Sequence, residues 1–550
     1  MKKIILSLSA LMVGISLHAQ EDKQNAVVNV ENDYNPVVVN VKKKSFTPQK
    51  SDNGSSTPLE LEFSKGSTPF EGFTSERNVR DLLPKQDGTG NGYVRLGGGT
   101  GESVDFKGAY NFKLNETSEL RTFASFDGFN TKIDAFFNDE EWKSRMYNTA
   151  IDAEYIQKFR DLTFGVTGSF CKKVFNYQSF YDLNDLTNKQ NCSSYSIGTN
   201  AVSNLSGPFS YSIYAGITHN RRAYSTEGEH GINETTLTYG GNLAHELPGE
   251  IFRSIGTDID ADFFIYNKKM HDATSEYSNI FSLDVNPYTN LVYNGWRIKA
   301  GIRMNIMSKG APALAVAPDI TIDGMIADGV GLYAEIKGGR VHNGFSAMDD
   351  ITPYWYYSAA YSRRLEPTYK PIDILVAARI SLLEPLSLEG YAGYTYIKDD
   401  LQQTIGSVWS LTYVEFAQQD TKNYFLGAKA GYDINGWVNL GAEIRLNHWS
   451  ADYKDLLIMK PRMTLDINAE SRPIKDLLVR IGYNFTHYTA GNNIGRLDNK
   501  NDLYARASYQ IDKQFCAFIQ GDNLFNNSHY EYAGYRARGA RCMLGATISF

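Results

Sequence analysis

Several features are scarce in this 550-residue chain, and each scarcity closes off a class of explanation. Beyond the first twenty residues no stretch approaches 18 uninterrupted apolar positions, which excludes a membrane-spanning helix. Lys and Arg are scattered and the formal net charge is −7, so no footprint for nucleic acid is present. The 9 His residues, His18 and His219 among them, are dispersed. With no HExxH spacing, no nucleophile elbow and no paired carboxylates at a cleft, no catalytic residue, metal site or cofactor is expected, and the chain reads as a non-enzyme. Proline is limited to 16 residues and helix caps are few, whereas Tyr (36), Phe (29) and Gly (47) are plentiful. That is a β composition.

The chain opens MKKIILSLSALMVGISLHAQ, with Lys2 and Lys3 before an apolar run from Ile4 to Leu17 and a small-residue exit at Ala19. This three-part pattern is that of a secretory signal peptide, residues 1–20, and implies export.

Periodicity of two then dominates. In WRIKAGIRMNIM, the residues Trp296, Ile298, Ala300, Ile302, Met304 and Ile306 fall on one face, opposite Arg297, Lys299, Gly301, Arg303 and Asn305. WVNLGAEIRLNHW alternates likewise, and SIGTDIDADFFIY carries Asp258, Asp260 and Asp262 on its polar face. Segments of about ten alternating residues on an exported chain match a transmembrane antiparallel β-barrel with an apolar exterior and a wet lumen. A secreted β-helix or sandwich array is the alternative.

Connectors alternate short and long when traced back from the terminal MLGATISF, whose Leu544, Ala546, Ile548 and Phe550 share one face. Short ones include LNETS, LSGP, LPGE, DING and QIDKQ; long ones include 174–191, 339–370, 398–422 and 524–540. One strand between each pair predicts 22 strands, the first near 91–99 and the last at 541–550, with both termini periplasmic.

The closing stretch AFIQGDNLFNNSHYEYAGYRARGARCMLGATISF resembles the C-terminal region of TonB-dependent receptors, in which an NLF or NLL triplet (here Asn523, Leu524, Phe525) precedes a loop and a last strand ending in Phe. PRMTLDINAESRPIKDLLVRIGYNF is similar to a paired hairpin of such barrels. The resemblance covers residues 91–550 and implies an outer-membrane barrel of a Gram-negative bacterium, related to solute uptake. Members of that family carry an N-terminal plug, and residues 21–90 are too short for one. They read instead as a periplasmic arm or linker. Within it NPVVVNV resembles a TonB box; the other reading is an arm that adds a strand to a different protein partner.

RLGGGTGES at 95–103 lacks the GK[ST] ending of a phosphate loop and reads as a hairpin. YDLNDLTNKQN, with Asp182, Asn184 and Asp185, lacks the Gly and Glu of a calcium loop and reads as a solvated connector. Asp258, Asp260, Asp262, Arg297, Lys299 and Arg303 face the lumen, where they either set a transverse field or neutralise one another. Trp355, Tyr356, Tyr357, Trp409 and Tyr413 lie in the long loops and are the expected ligand-contacting aromatics. Cys171 and Cys192 fall at the base of one loop on the inward register and are expected to pair; Cys516 and Cys542 lie on opposite faces and are expected to stay reduced. Two functions are carried forward: solute uptake through a lumen gated by external loops, or a structural barrel subunit of an outer-membrane protein complex.

Overall fold

The computed structural model describes residues 91–136, 141–179, 190–204, 207–223, 231–266, 278–310, 312–356, 365–383, 385–408, 411–434, 437–489 and 497–550. The signal segment, the arm with NPVVVNV, the Asp182 loop, Tyr357 and Trp409 lie outside them.

The chain runs β1 (Gly92–Gly99), β2 (Ser103–Lys113), β3 (Ser118–Asp134), β4 (Glu141–Lys158), β5 (Leu162–Phe175) and a two-residue β6 (Gln178–Ser179). It continues with β7 (Gln190–Ser203), β8 (Phe209–Ala223), β9 (Ile232–Glu246), β10 (Phe252–Tyr266), β11 (Ile280–Tyr293), β12 (Trp296–Met307), β13 (Leu314–Ala327) and β14 (Val330–Val341). After a short helix α1 (Phe345–Ile351) come β15 (Thr368–Leu383), β16 (Leu386–Val408), β17 (Leu411–Ile434) and β18 (Val438–Ala451). The last elements are β19 (Pro461–Ile474), β20 (Leu477–Tyr488), β21 (Lys500–Gln510), β22 (Phe515–Asp522), the small pair β23 (Tyr530–Tyr532) and β24 (Tyr535–Arg536), and β25 (Arg541–Ser549).

Setting aside β6, β23 and β24, the strands form a closed antiparallel barrel of 22, the number read from the connectors. Each strand pairs with the next, and β1 pairs with β25 in the register Gly97↔Gly545. Phe550 completes the seam: its N–H donates to Gly92 O at 3.0 Å, and the Gly92 N–H donates to Phe550 O at 2.9 Å. Closure removes every sheet edge, the condition for a β-structure in lipid.

Burial is inverted relative to a water-soluble protein. Leu544 (69%), Ile197 (63%), Leu426 (58%) and Leu96 (57%) are exposed on the outer face, whereas Asn286, Asn305, Asp319 and Asn423 are buried inside. An outward apolar face of this extent suits a hydrocarbon surround, and the alternation along each strand produces it. Turns at the rim with the chain ends are tight. Asn294 and Gly295 take φ of 49° and 82°, the left-handed pair an Asn-Gly hairpin needs after β11.

One expectation is overturned here. Residues 398–422, read as a long loop, are mostly strand: β16 and β17 pair out to Val408↔Leu411, with one register shift between Ile397 and Asp400. The ladder thus continues well beyond the length needed to cross a bilayer.

Candidate functional site

At the rim opposite the chain ends, connectors fold back into the barrel mouth instead of standing away from it. Three segments meet there: residues 176–179, 342–356 and 523–540.

The segment after β14 is pinned at both ends by Asn343, which is fully buried and donates from Nδ2 to Glu366 O at 2.7 Å and to Thr368 Oγ1 at 2.9 Å. Gly344 follows because a Cβ there would meet Glu234 Oε2 at 2.2 Å. That carboxylate is placed to cap α1, accepting from the N–H of Phe345 at 2.7 Å and of Ser346 at 3.3 Å. A negative group at a helix N-terminus satisfies unpaired donors and complements the dipole. The helix then buries Phe345 and Met348 against Ile232, Tyr266, Trp355 and Leu401.

The latch of this lid is Arg222, near the end of β8 and only 2% exposed. Its guanidinium donates to Asp349 Oδ1 and to the Pro353 carbonyl, to Trp355 O at 2.7 Å and to Tyr177 Oη at 2.9 Å. Asp349 also accepts from Trp355 Nε1 at 2.7 Å. The Tyr177 hydroxyl in turn donates to Trp355 O at 2.7 Å. A planar fork with five N–H groups suits this convergence of acceptors, and the pair with Asp349 offsets the desolvation of both charges.

Beyond α1, the lid docks as a strand on the tall β17. Trp355 bridges Val414 in parallel, and the Val414 N–H donates to Tyr354 O at 2.9 Å. On the neighbouring stretch of β17, β6 pairs antiparallel with Leu411 and Thr412. The loop before β25 completes the closure: Tyr535 donates to Thr412 O at 2.5 Å and stacks on Tyr354 with ring centres 3.8 Å apart. Trp142, Phe175, Tyr177, Tyr354, Leu411 and Tyr535 form one apolar cluster. Burial raises the hydroxyl pKa of Tyr177, Tyr354 and Tyr535 above its ordinary value, so these groups act as neutral donors.

Two of the expected ligand-contacting aromatics are less exposed than loop residues were expected to be. Trp355 is 2% exposed and serves the closure itself, because its ring and its backbone carbonyl are both spent on Arg222 and Asp349. Tyr356 is half-buried between Tyr177 and Tyr413, at ring separations of 6.2 and 5.4 Å. Arg222, Glu234, Asp349 and Tyr535 were not singled out from the sequence; nothing in HNRRAY distinguishes a buried arginine from a solvated one.

The six charged positions lie on the face turned away from the exposed apolar side chains, and they are largely paired. Asp258 accepts from Asn242 Nδ2 at 2.6 Å and Asn286 Nδ2 at 3.1 Å. Lys299 lies 2.7 Å from Asp319 and 3.9 Å from Asp258. Arg303 faces Asp284 at 3.4 Å and Arg297 pairs with Asp323, while Asp260 accepts from Tyr214 and Asp262 from Thr238 at 2.8 Å. Each of the three cations has a carboxylate partner, whereas Asp260 and Asp262 accept from neutral hydroxyls, so the two ladders meet directly only at Lys299 and Asp258.

The bridge expected between Cys171 and Cys192 is not formed. Cys171 is in register with Ser194, and Cys192 with Lys173, so the two are diagonal neighbours on one face, farther apart than a directly opposed pair. Cys516 and Cys542 lie in register with Thr547 and Gly521, and no disulfide joins them.

No protein-family model matches this chain, and no curated protein matches its sequence. Solved structures do. A mutant of the ferric enterobactin receptor of Pseudomonas aeruginosa, in complex with enterobactin, superposes with a TM-score of 0.64 at 12% identity, covering 85% of this chain and 82% of that one. A copper transporter, OprC, gives a TM-score of 0.60 at 12% identity over 84% of this chain and 80% of its own. The P. aeruginosa receptor FpvA, bound to heterologous pyoverdines, gives 0.61 at 12% identity over 84% and 71%. The likeness is one of fold, a large antiparallel barrel shared with these structures.

Proposed function

We propose that this chain is an outer-membrane barrel for solute uptake, held shut at its loop end by the segment 342–356. The observation that carries this reading is the latch of Arg222 on Asp349 and the Pro353 and Trp355 carbonyls, which ties the lid to the barrel wall through a buried guanidinium. A short segment whose contacts converge on a few buried residues and one strand can be released as a unit. The fold shared with a ferric enterobactin receptor and a copper transporter supports uptake as the role. In this reading residues 1–20 direct export, and 21–90 form a periplasmic arm that engages a protein partner, TonB or another.

A second reading, a structural barrel subunit of an outer-membrane complex, is favoured by one observation: Trp355, Tyr354, Tyr177 and Tyr535 are buried in the closure and not displayed to solutes.

Conductance in a planar bilayer separates the two. Folded wild-type chain is expected to be silent and Asp349→Ala to open in discrete steps. Silence of both, with heat-modifiable mobility intact, overturns uptake in favour of the structural subunit.

A further inference from the structure

Beneath the lid, against the wall formed by β1–β4, β20–β22 and β25, lies a cavity of about 640 Å³ roofed by Pro353, Tyr354 and the loop before β25. Eight Lys and Arg side chains line it against four carboxylates. The balance is the reverse of that around Asp258 and Lys299, where six carboxylates meet three cations.

Three of the four carboxylates are already engaged, and the fourth, Glu531, lies close enough to favour the charged form of Arg538 without an ion pair to it. Asp105 holds Arg95 at 2.8 Å, and Asp127 accepts from Asn148 Nδ2 at 3.0 Å. Asp522 is shared by two arginines, Arg541 at 3.0 Å and Arg506 at 3.6 Å. Among the described residues Lys107 and Arg538 form no ion pair. Arg538 spends one donor on Ser103 Oγ at 3.3 Å, and its guanidinium sits 3.8 Å from the centre of the Phe129 ring. Its backbone is fixed as well, since Asn523 Nδ2 donates to Arg538 O at 2.8 Å. Burial, reinforced by neighbouring Arg541, brings its pKa down to about 10, still fully charged at neutral pH. A held guanidinium with unspent N–H groups beside further cations is costly unless an anion completes it.

We infer that this cavity binds a small polyanion, a solute bearing two or more phosphate or carboxylate groups, with Arg538 as the anchoring fork and Lys107 and Arg506 as its charged partners. A bidentate oxyanion fits the fork of Arg538, and Phe129 holds that fork in place. The inference rests on the uptake reading in that it names the class of solute taken up.

Calorimetric titration of the full chain in detergent tests it, with inorganic pyrophosphate as the probe and sucrose as a neutral control. Wild type is expected to bind pyrophosphate, more weakly as salt rises, and to ignore sucrose. The double variant Lys107→Gln, Arg538→Gln is expected to lose at least tenfold in affinity, and Lys132→Gln, outside the cavity, to lose none. No binding by folded wild type, or unchanged affinity in the double variant, overturns the site. Should the double variant fail to fold, Lys107→Gln alone decides: a threefold loss supports the site and wild-type affinity overturns it. Conductance of Asp349→Ala reports on uptake separately, so an opening barrel that ignores pyrophosphate defeats the site alone, and a binding barrel that never opens defeats uptake alone.

Discussion

The guanidinium of Arg222 lies 4.5 Å from the centre of the Trp355 ring and donates a 2.7 Å hydrogen bond to that residue's carbonyl oxygen. One cation thus meets both the π-face and the backbone of the strand that crosses the mouth. Every path by which the lid could lift breaks this relationship.

Arg222→Ala should release the lid while leaving the barrel closed. Removing one partner of a buried ion pair costs about 3–5 kcal/mol, and here the loss falls on the lid rather than on the 22-strand ladder. Limited proteolysis should cut within 345–356 in the variant and not in wild type. Arg222→Lys should rescue little, because an ammonium cannot reproduce the fork that meets Asp349, Tyr177, Pro353 and Trp355.

Asp400→Ala should loosen the tall part of β16. Asp400 is fully buried, faces Lys460 at 2.8 Å and accepts from Thr421 Oγ1 at 2.6 Å, tying the register shift to the loop after β18. The loss again is about 3–5 kcal/mol, because Lys460 would be left buried and unpaired. Hydrogen exchange should rise in 400–408 and 411–421 and stay low in β1 and β25.

Gly545→Val should damage closure itself. A Cβ at this position would lie 2.1 Å from Leu96 O and 2.5 Å from the Phe518 ring, and the backbone oxygen cannot swing aside. A cost of about 1–3 kcal/mol from overpacking should appear as a smaller heat-modifiable fraction on gels.

Acidification should loosen the loop before β25. His529 is 6% exposed, and burial, despite its contact with Asn527 O at 3.2 Å, holds its imidazole below the ordinary 6.5. Because the folded pKa is depressed, the neutral form is the one folding favours. Its contribution is complete above the ordinary value and is lost as pH falls through the folded one. Exchange of 527–538 should therefore increase between pH 7.5 and 5, and His529→Gln should flatten that dependence.

Much of this architecture was legible in the chain before any coordinates. Alternation such as Trp296 to Met307 is a local property, because successive side chains of a strand point to opposite faces whatever surrounds them. Asn294–Gly295 marks its turn for an equally local reason, and the run of such segments up to Phe550 led to 22 strands. The same locality misled at 398–422, where polar residues and a lapse in the period-two pattern suggested a loop although the two strands go on pairing.

The closed mouth was not legible. Arg222 and Asp349 are 127 residues apart, and Tyr177 and Trp355 178 apart, and no local pattern encodes which loops will meet across a lumen. Trp355 looked like a displayed aromatic because exposure is decided by what folds over a residue, not by its neighbours in the chain. The unequal charge of the two lumenal sectors is of the same kind: it depends on which strands closure brings side by side. The sequence by itself determined the strands, their faces and their number, through steric alternation and turn chemistry. Only the tertiary structure decided that the loops turn inward, because that depends on contacts among residues the chain keeps far apart.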